Sequence, residues 1–142
     1  DLSRLLLLPY IQDVSSVQIQ TPENSKEYTL VFSSNGDLTV TDEENHPIDS
    51  NAFKELYQCL VGIPGENYLS QPPEDKNALL TITYHYEDGH QPDQVRLLEG
   101  PPLQLYLSVN GVTEFTTKKK YLDIIIQNVD RLERGEPLTP LY

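Results

Sequence analysis

The chain runs through one pattern twice: short alternating strands closed by a single amphipathic helix. The first pass goes through VQIQ and EYTLVFSSNGDLTV to the helix-like DSNAFKELYQCLVGI. The second goes through LLTITYHYEDG, QVRLLE and LQLYLSVNGVTEF to TTKKKYLDIIIQNVDRL. Strand side chains alternate between two faces, whereas a helix gathers residues three and four apart on one face. Val17 and Ile19, then Tyr28, Leu30 and Phe32, then Leu38 and Val40 follow the strand rule, while Ala52, Phe53, Leu56, Tyr57 and Leu60 follow the helical one. In the second pass Leu80, Ile82, Tyr84 and Tyr86 alternate, as do Leu103, Leu105, Leu107 and Val109. Leu122, Ile125, Ile126, Val129 and Leu132 then make a helical stripe. Short hairpins connect antiparallel neighbours, so the expected class is α+β: two similar halves, each an antiparallel sheet followed by one amphipathic helix packed on it.

The punctuation sets the boundaries. Residues 1–13 read as a lead-in, 14–63 as the first repeat, 64–77 as a linker, 78–134 as the second repeat and 135–142 as an irregular tail. The linker is rich in Gly, Pro, Asn and acidic residues. Asn35-Gly36 and Asn110-Gly111 are dipeptides that tolerate positive φ at both centres of a type I′ hairpin. Asp49 or Ser50 is expected to cap the first helix, which Gly62 and Pro64 end. Thr116 or Thr117 is expected to cap the second, with Gly135 at its far end. Leu5 to Leu8 form an apolar run with no place in either repeat, and are expected to pack against the domain or to join it to a neighbouring part of a longer protein.

Charge excludes one class of partner. With 22 acidic against 10 basic residues the formal net charge is −12, and a chain so acidic repels nucleic-acid phosphates and anionic lipid headgroups. The single cysteine, Cys59, rules out a disulfide framework within the chain. No Met occurs, so the chain is expected to be an excised or processed piece of something longer. LLLLP is too short for a membrane span or a signal-peptide core.

Few residues suggest chemistry. His85, Glu87 and His90 would gather two imidazoles and a carboxylate if the hairpin closed tightly at Asp88-Gly89, which suits a metal ion. Pro92 argues for a looser loop, and an exposed hairpin tip is the preferred reading, with no metal and no cofactor. His46 lacks a partner nucleophile, and Cys59 sits beside the helical stripe as a small hydrophobe. Lys118, Lys119 and Lys120 occupy the first turn of the second helix, where the dipole disfavours cations by roughly 0.3–1 kcal/mol each. Neutralisation by the chain's own carboxylates is favoured over an anionic partner, and the triplet is a candidate contact surface. Tyr84, Tyr86, Tyr106 and Tyr121 suit a half-buried sheet under a helix, or else a ligand cleft.

The strand–NG–strand segment, the DS-x-x-FKELYQCL helix and the LTITYHYEDG…YLSVNGVTEFTTKKKYLDIIIQNVDRL ending resemble the bacterial family catalogued as domain of unknown function 4340. The resemblance spans roughly Val14 to Leu132 and rests on pattern rather than on reactive residues. It implies an extracytoplasmic, strand-and-helix repeat protein behind an N-terminal anchor, in some members tied to ABC-type transport or gliding, and it carries no catalytic residues. The expected function is a non-enzymatic structural or interaction module with a protein partner in the cell envelope. The alternative is a secreted module that binds a glycan or peptide in a tyrosine-lined cleft. A metal-dependent hydrolase using His85 and His90 is the third and weakest.

Overall fold

The computed structural model describes residues 9–142. After a 3-10 turn at Ile11–Asp13 come β1 (Val14–Gln20), β2 (Ser25–Phe32), β3 (Leu38–Thr41), β4 (Pro47–Ile48) and α1 (Ser50–Val61). β5 (Asn67–Tyr68), β6 (Ala78–Tyr86), β7 (Asp93–Glu99), β8 (Gln104–Val109), β9 (Val112–Lys118) and α2 (Lys119–Arg134) follow. The strands form one sheet in the order β4-β3-β2-β1-β6-β7-β8-β9-β5, and every pairing is antiparallel. The class is therefore α+β, but the strands share one continuous sheet instead of one sheet per half. The seam is β1 against β6, where Val17 faces Tyr84 and Ile19 faces Ile82.

Both helices lie on the same face. Tyr28 of β2 shows this directly: its ring packs at 5.4 Å on Phe53 of α1, and its hydroxyl donates to Glu133 of α2 at 2.9 Å. Val17, Ile19, Leu30, Leu80, Ile82 and Tyr84 line the sheet beneath them, joined by Leu56, Leu60, Leu122, Ile125 and Leu132 in one core. Period-two alternation puts Ser16, Gln18, Thr29, Thr81, His85 and Arg96 on the other face, which no layer covers among the described residues.

α2 spans the sheet. Its 16 residues rise about 24 Å, close to the ~24 Å of five strand-to-strand steps that separate β9 from β2 in the sheet order. The helix starts at β9 and ends where Glu133 meets Lys26 and Tyr28 of β2. Gly135, at φ 70°, reverses the chain; Gly135 N–H donates to Leu132 and Glu136 N–H to Arg131, a Schellman closure.

Several local expectations are corrected. Asn110-Gly111 does form a two-residue hairpin with φ of 50° and 83°. Asn35-Gly36 does not: Ser33 N–H bonds Asp37 across a wider loop, and the Ser33 hydroxyl accepts from Asn35 and Asp37 N–H, so only Gly36 takes positive φ. Ile126 is 44% exposed, while Tyr121 and Asn128 take buried places on α2. The linker 64–77 contains β5, which extends the sheet beyond β9. The tail is irregular but docked: Asn128 holds Thr139 through both its amide atoms, at 2.7 and 2.9 Å, and Leu141 is buried. Leu5 to Leu8 lie outside the described residues.

Candidate functional site

The start of α2 is where local structure departs furthest from what a helix needs. The first N–H groups of a helix have no partner within it, and a short polar side chain at the N-cap normally supplies one. Here the N-cap is Lys118, in extended conformation, and no side chain caps the turn. Thr116 and Thr117, the expected caps, belong instead to β9, where they pair with Tyr106 and Leu105 of β8. The ladder holds them one to two residues too early. Lys119 N–H is satisfied by Leu103 carbonyl at 3.1 Å.

The three lysines are exposed at the rim of a cleft of about 510 Å³. Its walls come from the end of β9, the first turn of α2, Leu103 and Gln104 entering β8, and Glu66 and Asn67 from β5 and the residue before it. Thr116 and Thr117 line it, only 4% and 2% exposed. Neither hydroxyl has a hydrogen-bond partner among the described residues, although a buried hydroxyl without one costs roughly 1–3 kcal/mol. Leu103, 81% exposed, projects beside them at a φ of 64°. A non-glycine residue in the left-handed region is strained.

Internal neutralisation of the lysines is slight. Lys118 approaches Glu66 at 3.9 Å, with half of the lysine side chain in solvent, and exposed pairs of this kind contribute about 0–1 kcal/mol. Glu66 also accepts from Tyr121 hydroxyl at 3.2 Å; burial and this carboxylate push the phenol up. Lys120 lies 5.5 Å over the Tyr121 ring, a cation–π contact. Lys119 and Lys120 reach no carboxylate within ion-pair distance among the described residues, and Asp123 shares the same cleft.

The histidines are divided. His85 stands on the uncovered face opposite Ser16, whereas His90 stacks on Tyr86, at 4.3 Å and 13°, beyond the end of the strand. Asp88 fixes that geometry by accepting His90 N–H at 2.9 Å and contacting its ring nitrogen. The strands pair only as far as Tyr84 with Asp93, so residues 87–92 form the looser loop and Glu87 does not face His90 across a tight hairpin. Among the described residues no three His, Cys, Asp or Glu side chains gather to hold a metal. Glu87 and His90 instead help to line a second cleft of about 460 Å³, with Tyr10, Tyr86 and Asp13. His46 caps no chemistry either: it lies 3.6 Å from Asp42 within a turn. Cys59 is buried, and burial pushes its thiol up.

The tyrosines are mostly core. Tyr84, Tyr86 and Tyr121 are buried, and Tyr106 is half-buried on the uncovered face. The residues that sequence reasoning missed are Glu66, Leu103 and the two threonine hydroxyls. The only signal was TT directly before KKK. No family model, curated protein or solved structure matches the chain. No helix among the described residues is long and apolar enough to cross a membrane.

Proposed function

We propose that the chain is a non-enzymatic contact module of an extracytoplasmic bacterial protein, acting within a larger envelope assembly. The lysine-bearing start of α2 is the surface it presents to a protein partner. The observation that carries this reading is the retention of Lys119 and Lys120 at an uncapped helix start, without carboxylates drawn in to neutralise them, on a chain of net charge −12. A cationic first turn costs stability locally, and a partner's negative charge offsets that cost. The resemblance to the domain of unknown function 4340 family supports the envelope setting. The two runs β1–β4–α1 and β6–β9–α2 read as copies of one unit; what favours this is that each is a consecutively paired meander followed by a helix, and that the two meet at β1 and β6.

The test is a photo-crosslinking side chain placed at Lys119 in the parent protein in its host, with a control at Glu44 in the exposed turn after β3. A discrete protein adduct from position 119 alone supports the reading. No adduct, or the same adduct from both positions, removes it.

One observation favours the tyrosine-cleft alternative. Tyr10 and Tyr86 line one cleft with His90 stacked between strand and solvent, and flat rings of this kind suit a sugar or a peptide side chain. With no Trp present, tyrosine fluorescence reports directly: saturable quenching by an oligosaccharide or peptide, lost in Tyr10→Ala, would move the function to that end of the molecule.

A further inference from the structure

At the opposite end of α2 from the lysines, we propose that residues 136–142 are an exchangeable strap, which the groove between α1 and α2 accepts from its own chain or from a second copy. The groove reads main chain. Asn128, fully buried, accepts from Thr139 N–H at 2.9 Å and donates to the carbonyl of the same residue at 2.7 Å. Cys59 reaches that carbonyl too, at 3.8 Å. Main-chain bonds of this kind hold an extended segment, and side-chain anchors select which one. Leu141 is the buried anchor, Leu138 packs partly on the core, and the Tyr142 hydroxyl donates to the Gly62 carbonyl. The polar partners Cys59, Gly62, Asn128 and Arg131 belong to α1, its C-cap and α2, and the strap pairs with no strand among the described residues. Its fit against α1 is loose: a cleft of about 330 Å³ lies between Glu55, Gln58 and the strap.

The hinge comes down to one residue. Pro137 has a fixed φ, and Glu136 before it is steered to extended backbone. Gly135, at φ 70°, makes the reversal that lays the strap back along α2, with Thr139 beside Asn128 and Arg131. Another torsion at Gly135 sends the same strap outward, to the identical groove of a second copy. That occupant fits because the groove already holds its sequence. Each copy gives one strap and receives one, so the exchange closes as a two-fold dimer and repeats the strap contacts of the monomer. The two forms differ in the hinge, with its Schellman bonds, and in the freedom lost on association. Protein concentration and the preference of residue 135 therefore set the balance.

Light scattering on the whole chain, over a range of concentrations, reads the exchange as a monomer–dimer equilibrium. Gly135→Ala adds a methyl that meets no atom within 4 Å, so its effect is on the left-handed torsion of the closed form alone. It should raise the association constant roughly 100-fold, about 10-fold for each of the two hinges. Asn128→Ala spoils the groove and Leu141→Asp spoils the strap, so each should stay monomeric by itself. Their mixture should give a one-to-one dimer, because the first still offers a sound strap and the second a sound groove. Salt screens the repulsion between two chains of net charge −12, so the dimer fraction should rise with ionic strength. A Gly135→Ala variant that associates no more than the unaltered chain overturns the proposal. So does a mixture that stays monomeric, a dimer that survives either single loss, or one that salt dissolves.

Discussion

The two helices begin in opposite ways. α1 starts at Asp49, whose carboxylate accepts from Asn51 N–H at 2.8 Å and Ala52 N–H at 3.1 Å. It is an acidic cap placed where the dipole favours one. α2 starts at Lys118 with no cap and two further lysines. Yet α2 is firmly anchored along the rest of its length. Tyr121, Leu122, Ile125, Asn128 and Leu132 are buried, Glu133 is tied to Tyr28 and Lys26, and a Schellman closure ends it. The contrast teaches that α2 draws its stability from its middle and end, which leaves its first turn free for another purpose. Such a division has measurable consequences.

The largest should come from the middle of α2. Ile125 is fully buried at the centre of the stripe, so Ile125→Asp places an unpaired charge in the core and should cost about 4 kcal/mol or more. Ile126→Asp, one residue on and facing solvent, should stay within about 0.5 kcal/mol. Chemical denaturation of the two variants settles the pair. Equal losses would mean that the stripe is misassigned.

The end of α2 comes next. Asn128 is fully buried and clamps the tail at Thr139, with Cys59 beside the same carbonyl at 3.8 Å. Asn128→Ala should cost about 1–3 kcal/mol and release the tail, exposing the Cys59 thiol to a thiol reagent. Unchanged stability together with unchanged labelling of Cys59 would show that the tail is held by something else.

The two starts can then be exchanged. Asp49→Ala should cost about 1 kcal/mol. Lys118→Asp should gain a few tenths to about 1 kcal/mol, because a cap and a favourable charge outweigh one half-exposed pair with Glu66. Thermal melts of both variants compare the ends directly. If Lys118→Asp destabilises as much as Asp49→Ala, the lysine start is itself a stability element and the proposed contact surface loses its support.

How far the sequence disclosed these features depends on the range of the interaction involved. The cap of α1 and the Asn110-Gly111 hairpin were legible because each is decided within a few residues. Asn35-Gly36 has the same two letters, but Ser33 hydrogen-bonds across to Asp37 and widens the turn. Thr116 and Thr117 looked like caps until pairing with β8 drew them into the sheet, and no local rule reports that. Tyr121 is buried and Ile126 is 44% exposed, because which flank of an apolar stripe is covered depends on the surface the helix packs against and not on periodicity alone. Joining β1 to β6, and β5 to β9, brings together residues about fifty or more apart in the chain, and neither pairing has a local signal. The lysine triplet was visible as a violation of local preference. That Lys118 meets Glu66 while Lys119 and Lys120 find no carboxylate among the described residues was not, since that depends on where Glu66 and Asp123 fall in space.

The smallest effect concerns a second carboxylate that does in the first half what none does at the start of α2. Asp42, at the end of β3, accepts from the backbone N–H of Glu44 and of His46, both at 2.9 Å, and so organises the turn into β4. Burial would raise its pKa, but the His46 and Glu44 N–H groups outweigh that and hold it below the ordinary carboxylate range. A folded-state pKa below the unfolded value of about 3.9 contributes stability that is fully present above that value. It is lost as pH falls through the folded pKa. Acid titration of stability should therefore show a component below about pH 4 that Asp42→Asn abolishes, while the lysine-to-glutamine variants at the start of α2 leave it intact. Fluorescence-monitored unfolding between pH 2 and pH 6 reads both at once. The comparison fails if Asp42→Asn keeps the whole acid-sensitive component, because the turn would then owe its order to the strands it joins rather than to the carboxylate.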